Sequence, residues 1–386
     1  MNKSIIRINY LDGLRGVGAL IVYIHHFVSA FLPGIYFQDW TLIHFTLERS
    51  LARSPLYFIF SGPMVVYVFF ILSGIVLTKI AYEKISPDNL IYYLIKRYFR
   101  LSVPVMASIL LAFVLLIGGY MFNSKAGIIS ESNNWLATFY NFVPDLGKAL
   151  YQGSVGAIFW NQVTYNPLLW TVYYEFLGSV IVMSFVALLK NRRILKTIIA
   201  VGAVLMFPGS PITSFFIGMF IYEYKFILNK GISRVSKIAI ACITYLLWDF
   251  SVNGFVTRTF SVKADISQYI TDYQTILWII VASGIIMLTI ETRLIQRILN
   301  TKPIQFLGKI SFSFYLIHLI LICSVSSKIF LLVNNLLPSR YLVTTVITFV
   351  ITTILTIVVS WIFARLVDEK GIKLSNKVFS LLSKGK

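Results

Sequence analysis

The stretch LRGVGALIVYIHHFVSAFL, Leu14 to Leu32, is apolar from end to end except for Arg15 at its start and the pair His25 and His26. Its length suits a helix that crosses a bilayer, which takes roughly 20 mainly apolar residues. Two histidines and the absence of a small-residue cleavage site argue against a removable signal peptide, so it reads as a retained first span. The whole chain has the same character: 58% of residues are hydrophobic, 13% are charged and the mean hydropathy is +0.80. Lipid is the main solvent for such a composition. A single all-α polytopic bundle is therefore expected for these 386 residues rather than two or three soluble domains.

Working outward from the first span, ten apolar stretches lie between charge clusters, at about 14–32, 57–78, 103–122, 168–189, 194–208, 211–228, 236–252, 273–290, 308–332 and 341–364. The fifth and sixth are short and are separated only by Pro208, Gly209, Ser210 and Pro211, a tight turn. With the N-terminus inside, 26 of the 34 basic residues fall in the inner segments and eight in the outer ones. Lys and Arg concentrate on the cytoplasmic side of membrane proteins, so about ten spans with both termini cytoplasmic are expected. Residues 1–367 then form the membrane domain, and 368–386 a short basic tail lying on the inner surface.

A net charge of +19 would suggest nucleic acid as the partner of a soluble protein. Here the charge is distributed by topology, so the bilayer is the expected partner and nucleic acid is not. Cys242 and Cys323 lie far apart in apolar runs, with no CxxC spacing and no neighbouring His, so neither a disulfide nor a metal site is indicated. Both read as small buried residues. The longest outer loop, about 123–166, carries Trp135, Tyr140, Tyr151, Trp160 and Tyr165. These serve either as interfacial anchors or as part of an acceptor site.

Ionisable groups within spans are expensive, face the bundle interior and are functional candidates. Arg15 and His26 are eleven positions apart, and eleven steps of about 100° put them on one helix face, roughly 16 Å from each other. His26 then lies near mid-bilayer, where a dry environment keeps the imidazole neutral, the form a general base needs. His318, about ten residues into the ninth span, belongs at the same depth. Glu175, about seven residues into the fourth span from the outer side, would need a partner there such as His26 or His318. Each of the three also has a purely structural reading, as a polar tie between helices. Lys96, Arg97 and Arg100 form a basic cluster just before the third span. They mark the inner side, and two guanidinium forks three residues apart also suit phosphate. Asp12 reads as an N-cap of the first helix, and Ser73 as a packing or donor-contact residue rather than a nucleophile.

Five segments, in order, resemble the acyltransferase-3 family of membrane acyltransferases. They are Tyr10-Leu11-Asp12-Gly13-Leu14-Arg15-Gly16 followed by His26; Phe69-Phe70-Ile71-Leu72-Ser73-Gly74; Arg97-Tyr98-Phe99-Arg100-Leu101-Ser102-Val103-Pro104; Trp170-Thr171-Val172-Tyr173-Tyr174-Glu175; and Gly308-Lys309-Ile310-Ser311-Phe312-Ser313-Phe314-Tyr315-Leu316-Ile317-His318. Val367-Asp368-Glu369-Lys370-Gly371 keeps the acid of the family's last helix and lacks the Pro that often follows.

The resemblance implies a ten-helix core in a bacterial cytoplasmic membrane, with acyl-CoA, usually acetyl-CoA, entering from the cytoplasm as a donor substrate and no tightly bound cofactor. It implies O-acylation of a cell-surface polysaccharide, a lipopolysaccharide or a lipid-linked saccharide. His26 would be the catalytic base, with Glu175 and His318 completing the polar core. Arg15, Arg97, Arg100, Ser73 and Tyr315 would line the donor site. Homo-oligomerisation stays open. The rival reading is an exporter of a glycan or lipid-linked intermediate, in which intramembrane His and Glu relay protons.

Overall fold

Each of the ten apolar stretches contains helix, and no strand occurs among the described residues. The protein is seen in a computed structural model that describes residues 8–228, 231–252, 254, 256–257 and 273–384. The charge assignments made for Lys3, Arg7, Lys230, Arg258, Lys263 and Lys386 lie outside the described residues. The main helices are α1 (Asn9–Phe31), α2 (Gly62–Lys84), α3 (Leu90–Ile117), α4 (Trp170–Leu189), α5 (Arg193–Met206), α6 (Pro211–Tyr222), α7 (Arg234–Ser251), α8 (Tyr273–Glu291), α9 (Lys302–Leu321), α10 (Ser327–Leu336), α11 (Tyr341–Phe363) and α12 (Glu369–Lys384).

Among the described residues, seven helical runs are long and apolar enough to cross a membrane: α1, α2, α3 with its preceding turn, α4, α8, Lys302–Leu336 and Tyr341–Ser383. The three stretches expected at 194–208, 211–228 and 236–252 are helical but do not reach that standard. At 1.5 Å per residue, the 14 residues of α5, and the 12 of α6 with the five-residue π-turn Glu223–Ile227 that continues it, fall short of a hydrocarbon layer of roughly 30 Å. The 18 residues of α7 carry Arg234, Lys237 and Asp249.

Two boundaries differ from expectation in ways that matter for the site. Helix α3 begins 13 residues before position 103, so Lys96, Arg97 and Arg100 lie within it rather than ahead of it. A hydropathy scan stops at charges, whereas the helix runs through them. It opens at a capping box in which the Ser86 amide donates to Asn89 Oδ1 at 2.8 Å. Helix α1 begins at Asn9, so Asp12 is inside the first turn and pairs with Arg15 at 3.4 Å instead of capping the helix.

Helices α1, α2 and α9 form the centre of the bundle, with α4 and α6 against α2. The contact of α1 with α9 depends on missing side chains: a Cβ at Gly16 would come within 2.4 Å of the Gly308 nitrogen, and one at Gly308 within 2.4 Å of the Asp12 carbonyl. Small residues are what let helices approach in lipid. Helix α11 continues through a π-turn at Ala364–Asp368 into α12, which packs along α3, with the Tyr93 and Phe379 rings 4.7 Å apart. Cys323 is buried as expected; Cys242 lies exposed on α7, contrary to its reading as a buried residue.

Candidate active site

Helices α1, α2, α3, α4, α9 and the start of α12 enclose a cavity of about 500 Å³ at the end of the bundle that carries Arg15. Arg15, Arg97, Arg100 and Lys309 line it, against Asp12, Glu175, Asp368 and Glu369. Its remaining wall is largely apolar, with Val66, Phe69, Phe70, Leu77 and Phe312. Ser73 and Tyr315 also face it. The structure therefore brings together all five residues expected at a donor site.

Each arginine is held by a carboxylate. Arg97 donates through Nη2 to Glu175 and through Nε to Ser179 Oγ at 2.9 Å. Ser73 donates to the same Glu175 oxygen at 2.8 Å. Arg100 donates through Nη1 to Asp368, delivered by the π-turn, and lies over the Phe312 ring at 5.5 Å. Pairing of this kind offsets the repulsion between cations gathered in a low dielectric. A guanidinium has five N–H groups, and these bonds leave several on each arginine for a further acceptor.

Glu175 was expected to pair with His26 or His318. It joins Arg97 and Ser73 instead, because its depth on α4 brings it to the arginine level of α3. The histidines meet each other: His26 Nδ1 lies 2.8 Å from His318 Nε2, with the rings within 19° of coplanar. The geometry fixes the tautomers. His318 Nδ1 is 3.1 Å from the Phe314 carbonyl, which can only accept, so Nδ1 carries the proton and Nε2 accepts. His26 must then donate through Nδ1, leaving the Nε2 lone pair as its basic site, and no hydrogen bond from another described residue reaches that atom. His318 is fully buried, walled by Tyr23 and Phe314 with ring centroids 6.3 and 6.1 Å away. Tyr315 touches both regions: it lines the cavity, and its ring is 5.7 Å from that of His318. Its hydroxyl is 3.1 Å from Thr171 Oγ1. His25 points away and bonds the Phe60 carbonyl at 2.8 Å through Nδ1.

A family profile described as an acyltransferase domain, Acyl_transf_3, matches residues 8–365. The chain belongs to the acyltransferase-3 family. This acyltransferase is also similar to a protein of Phomopsis amygdali described as O-acetyltransferase PaAT-1, at 22% identity across 80% of this chain and 71% of that protein. No solved structure matches it. Its apolar helices and its family together make it a multi-pass membrane protein.

Three residues around the cavity and the histidine pair escaped the sequence reading. Asp368 was noted only as the acid kept at the end of the last span, with no role at the cavity. Ser179, four residues after Glu175, had none. Trp135 was grouped with interfacial aromatics, yet its indole lies 5.6 Å from the His26 ring and within 18° of parallel to it. Of the other loop aromatics, Tyr140 and Tyr165 are buried, and Trp160 and Tyr151 are exposed.

Proposed function

We propose that this acyltransferase moves an acyl group, acetyl in the first instance, from acyl-CoA to a hydroxyl of a cell-surface glycan or lipid-linked saccharide. The observation that carries the reading is the His26–His318 pair, with one imidazole nitrogen left open; neither histidine lines the cavity that gathers three arginines, and the Tyr315 ring, which does, lies 5.7 Å from that of His318. Arg15, Arg97 and Arg100 hold the donor's phosphates, and the apolar wall accepts its uncharged arm. The basic loops expected on the cytoplasmic side support a cavity that opens toward the cytoplasm, and the family resemblance supports a bacterial cytoplasmic membrane.

In the step itself, the acceptor hydroxyl gives its proton to His26 Nε2 while its oxygen attacks the thioester carbonyl. The tetrahedral intermediate expels the CoA sulfur as the C–S bond breaks, and His26 returns the proton to the thiolate, leaving an ester and free CoA thiol. His318 accepts the Nδ1–H of His26 throughout. It thereby holds the reactive tautomer and steadies the imidazolium that forms. Glu175 and Ser73 act one layer away, by orienting Arg97.

Binding of acetyl-CoA to the purified protein, with and without Arg15→Ala, tests the donor. Mass spectrometry of surface glycans from cells with and without the gene product tests the transfer. The reading expects tight binding weakened by the substitution, and loss of an acetyl group. Unchanged acylation in every glycan class would favour an exporter.

A further inference from the structure

The outer loop is fastened to α1 one turn beyond His26. Ser132 Oγ donates to the Ser29 carbonyl at 2.8 Å and Ser130 Oγ to the Ala30 carbonyl at 2.7 Å, and both serines are buried. Asn123 Nδ2 ties the loop's other limb through the Leu136 and Phe139 carbonyls at 3.0 and 2.7 Å. Beside these fastenings the chain takes the left-handed conformation at two non-glycine residues, Glu131 with φ 55° and Tyr140 with φ 60°. Such conformations cost energy and persist only where the surroundings impose them. Their product is the placement of Trp135 over His26, braced by Phe139 edge-on at 5.0 Å.

An interfacial anchor needs none of this. Trp135 is half-buried rather than directed to lipid, and no described residue accepts a hydrogen bond from its indole nitrogen. Glu131, Asn133 and Asn134 stand exposed beside it. An aromatic face near exposed carboxylate and amide residues of the same loop suits a sugar ring, which offers C–H groups on its face and hydroxyls at its rim. Along α1, Arg15 in the cavity and the serine fastenings lie on opposite sides of His26, so donor and loop approach it from different ends.

Resting on the acyl-transfer reading above, we infer that Trp135 is the platform on which a pyranose ring of the acceptor sits, placing one of its hydroxyls at His26 Nε2. Trp135 is thus a specificity-determining residue for the acceptor.

The test uses the full chain in lipid nanodiscs with radiolabelled acetyl-CoA as donor. The acceptor probes are a set of methyl pyranosides and glycerol, a hydroxyl donor without a ring. Wild type is expected to acetylate at least one pyranoside with kcat/KM above that for glycerol. Trp135→Ala should reduce that preference at least tenfold, chiefly through KM, with acetyl-CoA binding within twofold of wild type, and Trp135→Phe should recover most of the preference. Equal losses with pyranoside and glycerol would overturn the inference and make Trp135 a support for His26. An unchanged preference, or glycerol acetylated and no pyranoside, would overturn it as well. No thioester turnover by wild type with any acceptor would overturn the acyl-transfer reading itself, and the platform with it.

Discussion

His26 donates through Nδ1 to Nε2 of His318 at 2.8 Å, joining α1 to α9 across 292 positions of sequence. That bond, together with the Phe314 carbonyl behind it, selects which nitrogen of His26 is basic. A helix carbonyl is a weaker orienter than a carboxylate, yet it achieves the same tautomeric outcome with no charge buried in lipid.

His318 is therefore expected to tolerate replacement by another acceptor better than by a hydrocarbon. His318→Leu should lower kcat for acyl transfer by about 100-fold, within the range of losses that follow disruption of general-base catalysis. His318→Gln, whose amide oxygen can accept the Nδ1–H, should recover roughly tenfold of this. Steady-state release of CoA thiol measures both. Equal rates for the two variants would mean that His318 fills space only.

The approach of α1 to α9 at Gly16 and Gly308 is what allows the imidazoles to touch. Gly308→Val is expected to force the helices apart, at a cost of roughly 1–3 kcal/mol in stability. It should also abolish turnover, although ten residues separate it from His318. Thermal unfolding in detergent and CoA release read the two effects. Full activity with an unchanged Tm would contradict the packing account.

Glu175 holds Arg97 and not a histidine, so its removal should strike stability and donor binding. Glu175→Gln is expected to destabilise by about 2 kcal/mol, below the roughly 3–5 kcal/mol of a fully buried pair. The two side chains keep 24% and 19% of their exposure, which is why the smaller figure applies. The KM for acetyl-CoA should change with little effect on the pH dependence of kcat. A variant whose kcat–pH profile moved instead would put Glu175 back beside the base.

Arg97 uses its fork on Glu175 and Ser179 at once. A lysine cannot reproduce that geometry, so Arg97→Lys is expected to raise the KM for acetyl-CoA about tenfold despite keeping the charge. Isothermal titration at two salt concentrations adds a second readout, because phosphate binding by several cations weakens with ionic strength. Equal affinity in the variant and no salt dependence would remove the donor from this cavity.

Much of this arrangement was legible in the residues. Long apolar runs reveal helices because lipid leaves the backbone no other partner, and counting turns from Arg15 to His26 and along α9 to His318 is arithmetic on a rigid rod. The partner of Glu175 was not legible, since it depends on which helix lies beside α4. Nor was the true start of α3: charges at 96, 97 and 100 read as the end of a span, whereas Arg97 and Arg100 line the cavity and Lys96 lies over the Phe379 ring. Helices α5, α6 and α7 show that an apolar stretch predicts a helix more securely than it predicts a crossing. Trp135 escaped because aromatic residues near membrane surfaces are common, and only the Ser130 and Ser132 fastenings distinguish it.

The most direct measurement is the rate of CoA-thiol release by purified His26→Ala protein, given acetyl-CoA and glycan isolated from cells lacking the gene product. The account predicts a fall of about 1,000-fold or more with donor affinity retained, as expected for loss of a general base. A rate within threefold of wild type, with the glycan still acetylated, would contradict it.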